Sequence, residues 1–340
     1  GDVVKADLTV TMGLPKRGLL MPRAVEYVGS VDVVNIGIPP ELIQRAESDL
    51  EMIAAEDLRL LVGRRPRAAH KGMFGHLLIM AGGSDFTGAA SMAAEAAVRS
   101  GVGLVTVVTP AGQAPVVASR VPEAMVHGVK PTDQGSISAE GFRAWGRNIN
   151  EFSAVLVGPG MTCHDDTRAI VDDMLAACRV PLMLDADALN VLAGRTDGLK
   201  KASCPLVLTP HPGEMARLVN RSVEEVQADR FGWARKAADE WPAVVVLKGA
   251  GTLVARKGAS LQVNLTGNPG MAAGGMGDVL SGLIAGLLAQ GVAPLDAAQA
   301  GVYLHGRAGD NAAWRLSQAG LAARDVIEEL SHVIRDVSVR

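Results

Sequence analysis

The stretch Asn268-Pro-Gly-Met-Ala-Ala-Gly-Gly-Met-Gly-Asp278 runs without a break into the apolar residues 279–289. A glycine-rich turn opening a helix is a common junction in α/β folds. Gly274, Gly275 and Gly277 lack a Cβ, so the chain can turn sharply there and bring backbone N–H groups close to an oxyanion, to which the positive end of the helix dipole adds attraction. Asp278, in the first helical turn, is expected to stay ionised beside those amides and to act as a base on a substrate hydroxyl. A helix start with an acidic first turn, its glycines serving packing alone, reads the same residues without chemistry.

Working outward, short β-branched or aliphatic runs lie at 77–81, 104–109, 154–157, 182–185, 206–209 and 244–248, most ending in Gly, Pro or Asp. Between them, 89–99, 167–178, 214–219 and 223–241 carry helical spacing. The alternation predicts an α/β fold with a doubly wound, mostly parallel sheet flanked by helices, right-handed crossovers, and ligands beyond the carboxyl ends of the strands. Composition agrees: 48% of the 340 residues are apolar, only 3% are aromatic and 39 are glycine, which implies small side chains packed closely around sharp turns.

Five strand exits concentrate the unusual residues. The loop 81–90 feeds a small-residue helix whose N-terminus can face a ligand. The tight turn Gly158-Pro-Gly160 lets backbone approach a substrate, or is a plain turn. The polar groups of 185–190 (Asp-Ala-Asp-Ala-Leu-Asn) could orient a sugar hydroxyl, with helix capping the simpler role. In Thr209-Pro-His-Pro-Gly-Glu214 two prolines hold His211 and Glu214 at a helix start, where the imidazole serves structure or function. Lys248-Gly-Ala-Gly-Thr252 could hold a nucleotide's phosphates and ribose, or turn a hairpin. With no G-x-x-x-x-G-K-[ST] and no G-x-G-x-x-G in the chain, P-loop and dinucleotide-fingerprint folds are disfavoured. Together, Lys248, Gly249, Ala250, Gly251, Thr252 and the Asp278 turn outline a nucleotide cleft between two glycine-rich edges.

Bulk properties exclude several classes. A net charge of −3 and a pI near 6.2, without basic runs interleaved with aromatics, argue against nucleic acid. Cys163, Cys178 and Cys204 form an odd set without C-x-x-C spacing, so the chain reads as cytoplasmic, without a disulfide framework or zinc site. The uncharged, strongly apolar stretch 279–295 is shorter than the ~20 residues a membrane span requires, and a buried helix is expected there.

These motifs resemble the ADP- or ATP-dependent NAD(P)H-hydrate dehydratases. The resemblance runs from about residue 69 to 330 through His70-Lys-Gly-Met-Phe-Gly75, the 82–90 loop, Gly158-Pro-Gly160 and the blocks 185–190, 209–214, 248–252 and 266–278. It implies a ribokinase-like fold over residues 68–335 and nucleotide-dependent dehydration of the S-form of NADHX or NADPHX to NADH or NADPH. ADP or ATP would be the phosphoryl donor, converted to AMP or ADP and phosphate, and Mg²⁺ is expected with it, its ligands unassigned. The resemblance further implies that Lys248, Gly249, Ala250, Gly251, Thr252 and Gly277 contact the adenine nucleotide and that Ala89, Gly160, His211 and Asp278 face the hydrate. Asp278 would be the general base, and the amides of Gly275, Met276 and Gly277 part of the anion hole. The chain departs from the family at Met276, where Ser or Thr is usual, and at Phe74, where Tyr is common.

Residues 1–39 look like the last strands of an NAD(P)H-hydrate epimerase domain, most of which is absent, so no epimerase activity is expected of this chain. Residues 40–67 read as a linker helix and basic junction. The family also implies a homo-oligomer, with 297–304 as interface or core. Two rivals stay open: a ribokinase-like kinase of a vitamin precursor or sugar that keeps the phosphate in its product, and a nucleotide-binding module without turnover.

Overall fold

The computed structural model describes residues 3–45, 48–59 and 65–338. Its strands are β1 (Leu8–Met12), β2 (Ser30–Val34), β3 (Leu50–Met52), β4 (His76–Met80), β5 (Leu104–Pro110), β6 (Met125–Val129), β7 (Ala154–Val157), β8 (Leu182–Leu184), β9 (Leu206–Leu208), β10 (Ala243–Leu247), β11 (Thr252–Ala255) and β12 (Leu261–Asn264). Ten of them form one sheet in the order β3-β12-β11-β10-β9-β8-β7-β4-β5-β6. From β10 to β6 every pairing is parallel, and only β10-β11-β12 run antiparallel.

The inner strands are continuous aliphatic runs because both faces of the sheet are covered. Leu77, Ile79, Leu156 and Met183 point into one core with the helices Thr87–Ser100, Met276–Ala289, Pro294–Arg315 and Ala323–Val337. Leu78, Met80, Val155, Val157, Leu182 and Leu184 point into the other with Asp165–Ala177, Pro212–Val219 and Arg230–Glu240. The first core explains the scarcity of aromatics. A Cβ on Gly282 would strike the carbonyl of Ala93, and one on Gly286 the hydroxyl of Ser100, so the Met276–Ala289 and Thr87–Ser100 helices meet backbone to backbone. Most of the apolar stretch 279–295 thus lies in an internal helix, and among the described residues no helix is long and apolar enough to cross a membrane.

In its secondary structure the chain departs from the sequence reading in three places. The span 40–67 is not one linker helix: among its described residues helices cover Pro40–Arg45 and Ala55–Leu58, and β3 between them pairs in parallel with β12 as the sheet's edge. Edge pairing needs no apolar run, since Glu51 bonds Ser260 and Gln262 across the edge. The helix expected over 223–241 breaks into Val223–Ala228 and Arg230–Glu240, because the Asp229 carboxylate accepts the Gly232 N–H and starts a new helix. Strands β6 and β12 were not foreseen. The N-terminal β1 and β2 form a separate parallel pair on which Leu8, Val10 and Met12 stay exposed.

Candidate active site

Strand β4 has parallel neighbours on both sides, β5 and β7, and the chain leaves it in opposite directions along the sheet. The crevice of a doubly wound fold opens at that reversal, outside the carboxyl ends. Here the exits of β4 and β7 touch: Gly82 N–H donates to the Pro159 carbonyl at 2.8 Å. Gly160 has φ +67°, and a Cβ on it would lie 2.7 Å from that of Phe86 and 3.0 Å from that of Ala89. Ala89, in the first turn of its helix, and Gly160 are therefore neighbours across the crevice, with Phe86 exposed at its rim.

The exits of β8, β9 and β10 meet in a buried charge cluster. Asp185 is 1% exposed. One of its oxygens accepts from the Lys248 ammonium and the Thr209 hydroxyl, both at 2.8 Å, and the other from the Ser281 hydroxyl. Glu214 lies 3.6 Å from the same ammonium. Burial opposes charge on each group. For Asp185 the opposition is overcome by Lys248, Ser281 and Thr209, which hold its carboxyl below the usual range. Burial likewise disfavours the ammonium, yet Asp185 and Glu214 keep the Lys248 pKa above its ordinary value. The Glu214 pKa is raised, mainly by burial. Asp185 is thus a counter-ion and not the helix cap expected for 185–190; the residue before that short helix is Ala186, at φ +50°. Asp187 accepts the Thr162 N–H at 2.8 Å and ties the β7 exit to the β8 exit.

His211 caps the Pro212–Val219 helix. Its Nδ1 accepts from the N–H groups of Gly213 and Glu214, while the Glu214 carboxylate accepts the His211 N–H at 2.7 Å. An Nδ1 that accepts two hydrogen bonds leaves the neutral ring's proton on Nε2, which lies 3.4 Å from the Glu214 carboxylate. Burial, Lys248 and Arg217 lower the His211 pKa, which keeps the ring neutral.

The last exit is the glycine turn. Gly275 has φ +89°, and a Cβ there would strike Met92 of the Thr87–Ser100 helix. Met276 is buried in the core, so it offers the turn only its backbone. The Lys248 ammonium lies 3.6 Å from where a Gly277 Cβ would sit, and Ser281 bonds the Gly277 carbonyl at 2.8 Å, which ties the turn to Asp185. Among the described residues the Asp278 carboxyl has no hydrogen-bond partner. Burial first, then Asp185, pushes its pKa up to about 7, with Lys248 opposing. The ionised Asp278 expected from the helix dipole is in this respect corrected: desolvation and the negative charge of Asp185 outweigh the N-terminus.

Ala89, Gly160, His211, Lys248, Gly277 and Asp278 are thereby brought to one edge of the sheet from five strand exits and two helices. Sequence reading missed Ser281, although it falls one helical turn after Gly277 and Asp278 on the same face. It also missed Arg230, which no local pattern marks. No group of three or more His, Cys, Asp or Glu able to hold a metal exists among the described residues, and the oxygens of Asp185 are already engaged. The chemistry fits a magnesium ion that arrives on nucleotide phosphates with water as its bridge to protein. Open depressions of about 430 and 380 Å³ lie away from this edge, the first beside Gly75, Ser153 and Pro181 at the amino ends of the strands, and carry none of these groups.

Fold and site define a ribokinase-like α/β protein. A ribokinase-like superfamily protein from Enterococcus faecalis superposes with a TM-score of 0.74 at 26% identity, covering 86% of this chain and 98% of that one. The family model for NAD(P)H-hydrate dehydratase matches residues 77–332, and the chain belongs to that family. The ADP/ATP-dependent NAD(P)H-hydrate dehydratase from Bacillus subtilis, co-crystallised with ATP and Mg²⁺, is 32% identical with a TM-score of 0.76 over 86% of this chain and 100% of its own. The bifunctional NAD(P)H-hydrate repair enzyme of Moorella thermoacetica is 40% identical over 337 residues, 99% of this chain but 64% of its own length. The chain thus spans a little under two thirds of that curated relative.

Proposed function

We propose that this chain dehydrates hydrated NADH or NADPH at the expense of ADP or ATP, with Asp278 as the base. The observation that carries the reading is an unbonded carboxyl, poised near neutral pH at a helix N-terminus, in a chain of this family. Hydroxide leaves poorly from the hydrated ring, and phosphorylation converts it into a good leaving group. Asp278 accepts the hydroxyl proton as the oxygen attacks the terminal phosphoryl group and the bond to the nucleotide breaks. The N–H groups at 274–277 meet the charge on the transferred group. The C–O bond then breaks with the electrons going to phosphate, the ring nitrogen's lone pair compensates, and loss of a proton from the adjacent carbon restores the reduced nicotinamide. Magnesium, when bound with the nucleotide, neutralises phosphate charge.

Within this reading Ala89, Gly160 and His211 line the hydrate's side of the crevice, and the 248–252 turn with Gly277 lines the nucleotide's. Residues 1–39 are the carboxyl-terminal strands of an epimerase unit, a view supported by the exposed apolar face of β1, which a fuller domain would cover. A cytoplasmic homo-oligomer goes with the family reading, and light scattering tests the assembly. The activity test mixes the chain, hydrated NADH or NADPH, Mg²⁺ and one nucleotide. Recovery of the reduced-nicotinamide absorbance with stoichiometric free phosphate is expected. A stable phosphoester without that recovery would mean a kinase, and nucleotide binding without either product a binding module.

A further inference from the structure

We infer that Arg230 is a positioning residue for the adenine nucleotide, holding the β10–β11 turn with its carbonyls inward and its N–H groups free for an anion. The inference rests on that turn being the nucleotide's side of the cleft. Arg230 is 4% exposed, and among the described residues no carboxylate lies within ion-pair distance of it. Its guanidinium donates instead to three carbonyls, those of Ala250, Leu247 and Lys248, the last two at 3.1 Å. The remaining carbonyl, of Gly249, accepts from the Thr252 hydroxyl at 2.9 Å. Every carbonyl from 247 to 250 on this side of the turn thus has a donor. The N–H groups do not: among the described residues those of Gly249, Ala250 and Gly251 donate to nothing.

Three successive unpaired N–H groups are donors available to an anion. A buried cation beneath them adds attraction that is only weakly screened. A buried charge without a counter-ion is costly unless something offsets it. Burial lowers the Arg230 pKa to about 10, still far above neutrality, so the charge is retained. Gly249, at φ +138°, fits the same account, since a Cβ there would lie 3.0 Å from the guanidinium.

The test measures the dissociation constant of ATP with Mg²⁺ by calorimetry and, separately, the KM for the hydrate. Arg230→Met is expected to weaken nucleotide binding about ten-fold or more while the hydrate KM stays within about two-fold. Arg230→Lys, which keeps the charge but not the three-pronged geometry, should fall between the two. Gly249→Ala, which places a methyl 3.0 Å from the guanidinium, should weaken nucleotide binding too, and Arg230→Lys decides the matter if Arg230→Met does not fold. Wild-type affinity in a folded Arg230→Met, or a parallel rise of nucleotide and hydrate constants in both variants, would overturn the inference. Because binding is read without turnover, a chain that holds ATP through this turn yet never restores reduced nicotinamide would sink the dehydratase reading alone.

Discussion

Asp185 and Asp278 lie at the same edge of the sheet, a few side chains apart, and the fold treats them in opposite ways. Asp185 is surrounded by donors from three other elements and ionised below the usual range. Asp278 is left without a partner and pushed up to about 7. A carboxylate whose two oxygens hold three donors is an anchor, whereas one deprived of partners at a helix N-terminus is available to take a proton. Under the proposed function, the difference separates a structural from a chemical acid residue at a site where composition makes them look alike.

The sharpest way to break the contrast is Asp278→Asn. Dehydration should fall by roughly 10²–10⁴-fold, the usual contribution of a positioned base, while circular dichroism stays unchanged. Asp185→Asn should act first on stability, since it removes the nearest counter-ion of the Lys248 ammonium and leaves only Glu214 at 3.6 Å. A loss of about 3–5 kcal/mol is expected in urea unfolding. If Asp185→Asn kept its stability, the anchor would not be one.

Charge state offers a finer test. With the Asp278 pKa at about 7, kcat/KM should drop about ten-fold per pH unit below that value and level off above it. Its native pKa is raised above the ordinary carboxylate value, so the native state binds the extra proton and stability from this group declines as pH rises from about 4 to about 7. Asp278→Asn should therefore match or exceed the parent's melting temperature at pH 8. Smaller still is Gly275→Ala, which forces a Cβ into a left-handed conformation and against Met92. It should cost about 1–2 kcal/mol, read by denaturant unfolding, and slow turnover by displacing the turn. His211→Ala removes a helix cap, with about 1 kcal/mol expected by the same measurement.

Most of the sheet was legible because its inner strands are buried on both faces and therefore read as unbroken aliphatic runs, as in 154–157. Edge strands escape such reading. β6 is interrupted by His127 and Gly128, and β3 is three residues, Leu-Glu-Met, whose pairing depends on a partner more than two hundred positions away. At the site, the glycine turn and Asp278 were visible as a local pattern. Their electrostatics were not, because Asp185 and Lys248 reach Asp278 only through tertiary contact. The helix dipole could be read locally, and burial could not. Arg230 was hidden for the same reason: its partners are carbonyls, which leave no trace in side-chain identity.

The most direct test of the central claim is a crystal structure of the chain with a non-hydrolysable ATP analogue and Mg²⁺. The terminal phosphate should rest on the N–H groups of 274–277, within reach of the Asp278 carboxyl, with the rest of the nucleotide along the 248–252 turn. A phosphate bound elsewhere, or an Asp278 carboxyl turned into the protein interior and engaged there, would contradict it.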